Sequence, residues 1–162
     1  MSIVEALQRL QDLPFPTEIR ESAWLFPTIE TVHVLALVLV VGSIAFLDLR
    51  LLGWTSRPRR ITDLIAETLP WTWSAFAVAA TSGALMFSSK AVTYYSNIPF
   101  RLKMLCLMLA GFNMIWFHHV SLRRVGGWDH GAPPASARIA GGLSMLLWIT
   151  IVGAGRCIGF TT

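Results

Sequence analysis

The sequence predicts an all-α integral membrane protein: a bundle of four transmembrane helices preceded by an amphipathic helix at the membrane interface. Three observations carry this expectation. Hydrophobic residues make up 54% of the 162-residue chain and charged residues only 14%, far from the balance of a soluble domain. Four stretches, 26–49, 69–87, 102–117 extended by a polar end, and 139–158, approach the roughly 20 apolar residues that cross the hydrocarbon as a helix. The charges lie mostly in the short connections between them. The expected division is 1–22 as interfacial helix and linker, and 23–162 as the bundle.

At the N-terminus Ile3, Val4, Leu7 and Leu10 share one helical face, opposite Glu5, Gln8, Arg9 and Asp12. That pattern predicts a helix lying in the interface plane, ended by Pro14-Phe15-Pro16. It lacks the basic leader, apolar run and cleavage site of a signal peptide. The link after the first span carries Arg50, Arg57, Arg59 and Arg60, and the link after the third carries Arg123, Arg124 and Arg138. The opposite side has Arg9, Arg20, Lys90 and Arg101, partly balanced by Glu5, Asp12, Glu18 and Glu21. The positive-inside rule then places the arginine-rich links in the cytoplasm and both termini in the periplasm of a bacterial inner membrane. Trp24, Tyr94 and Tyr95 are expected at the outer interface, and Trp54, Trp71, Trp73 and Trp128 at the inner one.

The net charge of +4 follows this topological pattern, so the lipid bilayer is the expected partner and nucleic acid is not. Cys106 and Cys157 lie in apolar spans outside any CxxC spacing, which gives neither a disulfide framework nor a zinc site. Glycines 83, 111, 141, 142, 153 and 155 lie within helices, where small residues let backbones approach. No Ser/His/Asp set or paired-carboxylate site points to hydrolytic chemistry.

Ionisable groups inside a span are costly unless paired, ligand-bound or near an interface. Glu30, His33, Asp48, Arg50, Lys103, His118, His119 and Arg156 therefore each need an account. Arg50 is expected to snorkel or to pair with Asp48. His33 lies well inside the first span and shares a face with Glu30, so it is either a neutral imidazole bonded to Glu30 or to a carbonyl, or part of a ligand site. In the third span Lys103, Leu107, Ala110, Met114 and His118 recur at helical spacing. Counting from Arg50 and Arg123 at about 1.5 Å per residue puts His33 roughly 25 Å, Lys103 roughly 30 Å and His118 under about 10 Å from the cytoplasmic ends. His33 and Lys103 thus share a depth, whereas His33 and His118 are too far apart to share one metal. Met86, Met104 and Met108 gather in the same half; with His33 they are either copper(I) ligands or space-filling side chains.

The arrangement H-x8-G-x5-D-L-R-L of the first span (His33, Gly42, Asp48, Leu49, Arg50, Leu51), with F-R-L-K-M and then F-H in the third, resembles the CopD/HemJ-type group of small membrane proteins. The signatures I-E-T-V-H, D-L-R-L-L-G, P-W-T-W, Y-Y-S-N and G-R-C-I-G-F, which run along nearly the whole chain, are similar to those of a bacterial family of four-span inner-membrane proteins without an assigned function. The HemJ-type resemblance implies haem b held by a first-span histidine and a third-span lysine, here His33 and Lys103, in agreement with their shared depth. The fourth span ends in Gly155-Arg156-Cys157 and lacks the N-E-x-P-like segment of the HemJ-type oxidases, which argues against protoporphyrinogen oxidation. The CopD branch implies copper handling instead.

Three functional expectations follow. The first is a haem-b protein passing electrons between quinone or a periplasmic partner and the haem, with Glu30 orienting His33 and Arg156 pairing with a propionate. The second is a copper or small-solute transport component using His33 with Met86, Met104 or Met108. The third is a non-catalytic subunit of a larger membrane complex, docked through the N-terminal helix.

Overall fold

The computed structural model describes residues 2–55 and 59–161, so the expectation for Arg57 lies outside the described residues. Seven α-helices and no strand occur among the described residues. The short helices are α1 (Ile3–Gln11), α2 (Pro14–Glu21) and α5 (Ala91–Ser96); the long ones are α3 (Leu25–Leu51), α4 (Ile61–Ser89), α6 (Ile98–Trp116) and α7 (Ala135–Thr161). From α6 the chain continues through a π-helical turn, Phe117–Ser121, and a 3-10 segment, Leu122–Gly127. Three of these helical stretches, Leu25–Leu51, Ile98–Gly127 and Ala135–Thr161, are long and apolar enough to cross a membrane. α4 has the length but not the hydropathy, because Pro70 and several Thr, Ser and Trp side chains dilute its apolar run.

Packing follows the small residues. α3 lies between α4 and α7, α7 packs in turn on α6, and α4 and α6 make at most marginal contact. At the α3–α7 crossing a Cβ on Gly141 would stand 2.9 Å from the Leu51 Cβ and 3.2 Å from the Asp48 carbonyl oxygen. Only glycine allows the two backbones that close. Val40, Ala75, Cys106, Leu147, Trp148 and Ile151 form one buried cluster, and Leu51, Ile61, Leu64, Phe117, Trp128, Ala137 and Ala140 form a second one at the end that carries Arg50. Most remaining large apolar side chains, such as Leu39, Phe112 and Leu146, point outward, as they do where the surroundings are lipid.

The N-terminal region departs from the expected linker. Ser2 and Glu5 close a capping box on α1, but Pro14 and Pro16 open α2 rather than ending structure, because proline is tolerated in a first helical turn, whose N–H groups have no partner within the helix. α2 packs on α3 and α4. Its Ile19 is fully buried, and Arg20 donates to the carbonyls of Gln11 and Ser89, both at 3.1 Å. The N-terminal helices are thus fastened to the C-terminal end of α4.

Two of the expected interface aromatics are core residues instead. Tyr94 is buried in a stack with Phe87 and Phe100, and Trp128 is buried in the cluster around Leu51 and Phe117. Trp24, Trp54 and Trp71 are exposed, as side chains at an interface are.

Candidate functional site

His33 stands where α3 crosses α4. Its Nδ1 lies 2.9 Å from the Ala79 carbonyl oxygen and 3.0 Å from the Ser82 Oγ. The Ser82 hydroxyl itself donates to the Val78 carbonyl at 2.7 Å, which leaves its oxygen as an acceptor. Nδ1 therefore carries a proton, and in the neutral ring Nε2 carries the lone pair, with no hydrogen-bond partner among the described residues. Gly83 makes the approach feasible: a Cβ there would lie 3.1 Å from the His33 Cε1. A neutral imidazole fixed through Nδ1 with Nε2 free is the ligating form of histidine.

Lys103 projects from α6 towards the same region. Its Nζ would be 3.7 Å from a Cβ on Gly155 of α7, so a second glycine makes room for the side chain. It forms no hydrogen bond or ion pair with any described residue, and it is near enough to His33 for the two groups to interact electrostatically.

The remaining candidates are placed differently. Glu30 is exposed and does not bond His33; the Ala79 carbonyl and Ser82 take the acceptor role expected of it. Arg156 is exposed, with its guanidinium over the Phe160 ring at 5.0 Å. Met104 and Met108 point outward at 37% and 59% exposure, while Met86 is partly buried. His118 and His119 satisfy Nδ1 on the carbonyls of Met114 and Ile115, at 2.9 and 3.0 Å. Among the described residues there is no cluster of three His, Cys, Asp or Glu side chains able to hold a metal ion.

The opposite end of the bundle holds a polar latch that the sequence did not disclose. Arg50 is fully buried and makes no ion pair with Asp48; its Nη2 donates to the carbonyls of Arg59, at 3.2 Å, and Asp129, at 3.4 Å. The Asp129 carboxylate accepts from the Thr62 backbone N–H at 3.0 Å, from Arg60 Nε at 2.8 Å and from the Thr62 hydroxyl. Burial alone would push the Asp129 carboxyl up. The Thr62 N–H, the Arg60 guanidinium and the Thr62 hydroxyl outweigh it and hold the group at about 2, below the ordinary 3.8. This carboxylate serves as the N-cap of α4 from the other loop.

Several apolar helices of membrane-crossing length define a multi-pass membrane protein. Residues 24–161 match DUF6644, a family of unknown function, and the protein belongs to that family. No curated protein and no solved structure matches the chain.

Proposed function

We propose that the protein is a four-span inner-membrane haem-b protein that passes electrons between a quinone or periplasmic partner and a haem held by His33 and Lys103. The observation that carries this reading is the orientation of His33: Nδ1 is committed to Ala79 and Ser82, Nε2 has no hydrogen-bond partner among the described residues, and the unpartnered Lys103 is within electrostatic reach. The residues present fit the group. Each ligand side chain is seated against a glycine, His33 on Gly83 and Lys103 on Gly155, and an imidazole and an amine are both nitrogen donors to iron. Bound there, haem b supplies a one-electron couple. The chain's own part is to fix the imidazole through the Ala79 carbonyl, to keep the amine free of carboxylates, and to exclude water with apolar helix faces.

In this reading α4 crosses the bilayer with the three more apolar helices, the links bearing Arg59, Arg60, Arg123 and Arg124 face the cytoplasm, and both termini face the periplasm. Cysteine in place of Thr161 should react with a membrane-impermeant maleimide in intact spheroplasts, and cysteine in place of Arg123 only after lysis; the reverse pattern would refute the orientation. The outward placement of Met104 and Met108 gives the copper reading less support.

Ligand identity is tested with Lys103→Met. Replacing an amine by a thioether on a histidine-ligated haem should raise the midpoint potential and shift the reduced bands. A haem whose spectrum and potential are unchanged in Lys103→Met would remove Lys103 from the site.

A further inference from the structure

Away from the His33–Lys103 pair, towards the end that carries Arg50, the four long helices enclose an apolar cavity of about 210 Å³. Val40, Ile44, Phe76, Ala110, Gly111 and Trp148 are among the side chains that line it. α4 and α6 scarcely touch, and the exposed large apolar side chains of the lining are Trp73 and Phe76 of α4 and Met114 of α6, so the mouth is placed between these two helices. In the membrane orientation proposed above, this mouth faces hydrocarbon. A ligand would enter from the lipid phase.

One polar group interrupts the apolar wall in a way that points to an occupant. Asp48 lines the cavity and is only 4% exposed. The Ser144 hydroxyl lies beside its carboxyl, and Oδ2 has no hydrogen-bond partner among the described residues. A buried polar atom left unpaired costs about 1–3 kcal/mol, more if charged. Asn113 Nδ2 and His118 Nδ1, also in the wall, are bonded to the carbonyls of Ala140 and Met114. Among the described wall residues Asp48 Oδ2 is the fully buried side-chain polar atom without a partner, able to receive a hydrogen bond from, or give one to, a molecule in the cavity.

The chemistry narrows the class. An acyl chain would fill apolar volume but leave Asp48 unpaired, and one carboxyl with one hydroxyl falls short of the six or more oxygens that calcium or magnesium takes. Pockets that enclose drug-sized molecules run to about 300–1,000 Å³, so this smaller cavity suits a single ring whose tail leaves through the mouth. We infer that the cavity binds the ring head of a lipid-soluble quinol or quinone, with the Asp48 carboxyl hydrogen-bonded to a ring oxygen. An ionised carboxyl accepts from a quinol hydroxyl, and a protonated one donates to a quinone carbonyl. The inference rests on the proposed function for its choice of partner, giving the lipid-soluble electron carrier a place. Binding itself needs no haem.

The test uses haem-free protein in phosphatidylcholine nanodiscs, titrated with decylubiquinone and read by quenching of tryptophan fluorescence, since Trp73 and Trp148 line the cavity. Wild type should show saturable quenching, and Asp48→Ala should weaken it at least tenfold. Gly111→Phe, at a position where a Cβ meets nothing within 4 Å, should abolish the saturable phase while circular dichroism shows the helical content of wild type. Quenching that rises linearly with quinone and is equal in all three proteins would overturn the inference. So would unchanged affinity in Asp48→Ala, or equal displacement by dodecane, which has no ring oxygen. Saturable binding in a protein that never takes up haem would leave this site standing and remove the haem reading.

Discussion

His33 and Asp129 are side chains whose surroundings decide what they do. The imidazole is anchored by Nδ1 to α4, so its free nitrogen points wherever the α3–α4 crossing aims it. Asp129 is a carboxylate held at about 2 by three donors, and the sign of its contribution to stability follows. A carboxyl whose folded value lies below its ordinary 3.8 stabilises the fold above about pH 4, and that stabilisation is lost as pH falls towards 2. Its Arg60 partner is half-exposed, so the ion pair itself contributes little, and the cap to Thr62 carries most of the effect. Asp129→Ala should cost about 1–2 kcal/mol at pH 7, the range for a lost N-cap. Melting temperatures in detergent should converge between wild type and variant as pH is lowered from 5 to 2. A constant gap across that range would show that the carboxylate is not the source.

Helix α4 shows what could be read from the chain and what could not. Its second half was legible as a span from residue 69, but the helix begins at Ile61. The first turns are held by the Asp129 carboxylate, which accepts from the Thr62 N–H 67 positions away, a long-range cap with no local signal. Arg50 was legible as an intramembrane charge, but not its partners, because they are carbonyls of loops that meet only in the folded bundle. His33 was legible as a polar group well inside its span, whereas Ala79, Ser82 and Gly83 belong to a crossing that periodicity does not define. Glycines behave likewise: spacing marks them all as small, and only packing separates them. Gly141→Ala should destabilise by about 1–3 kcal/mol, as overpacking does, because its Cβ would stand 2.9 Å from Leu51. Gly153→Ala, where nothing lies within 4 Å, should be neutral or slightly stabilising. Equal melting temperatures for the two variants would contradict the close α3–α7 crossing.

Across the whole molecule, the helices separate the polar groups along the bundle. One end holds His33, Lys103 and the N-terminal helices fastened by Arg20. The other holds the Arg50–Asp129 latch, and the apolar cavity lies between the two ends. Val40, the cavity residue nearest His33 along α3, is about 10 Å from it at 1.5 Å per residue. A ring in the cavity and a group on His33 would then be neighbours within one bundle. Whether His33 holds a b-type haem, as proposed, is tested most directly by oxidised-minus-reduced absorption spectra of protein purified from cells with ample haem supply. Wild type should give Soret and α-band difference signals that His33→Ala loses while its helical content and melting temperature are retained. A featureless wild-type spectrum, or bands equally strong in His33→Ala, would contradict it.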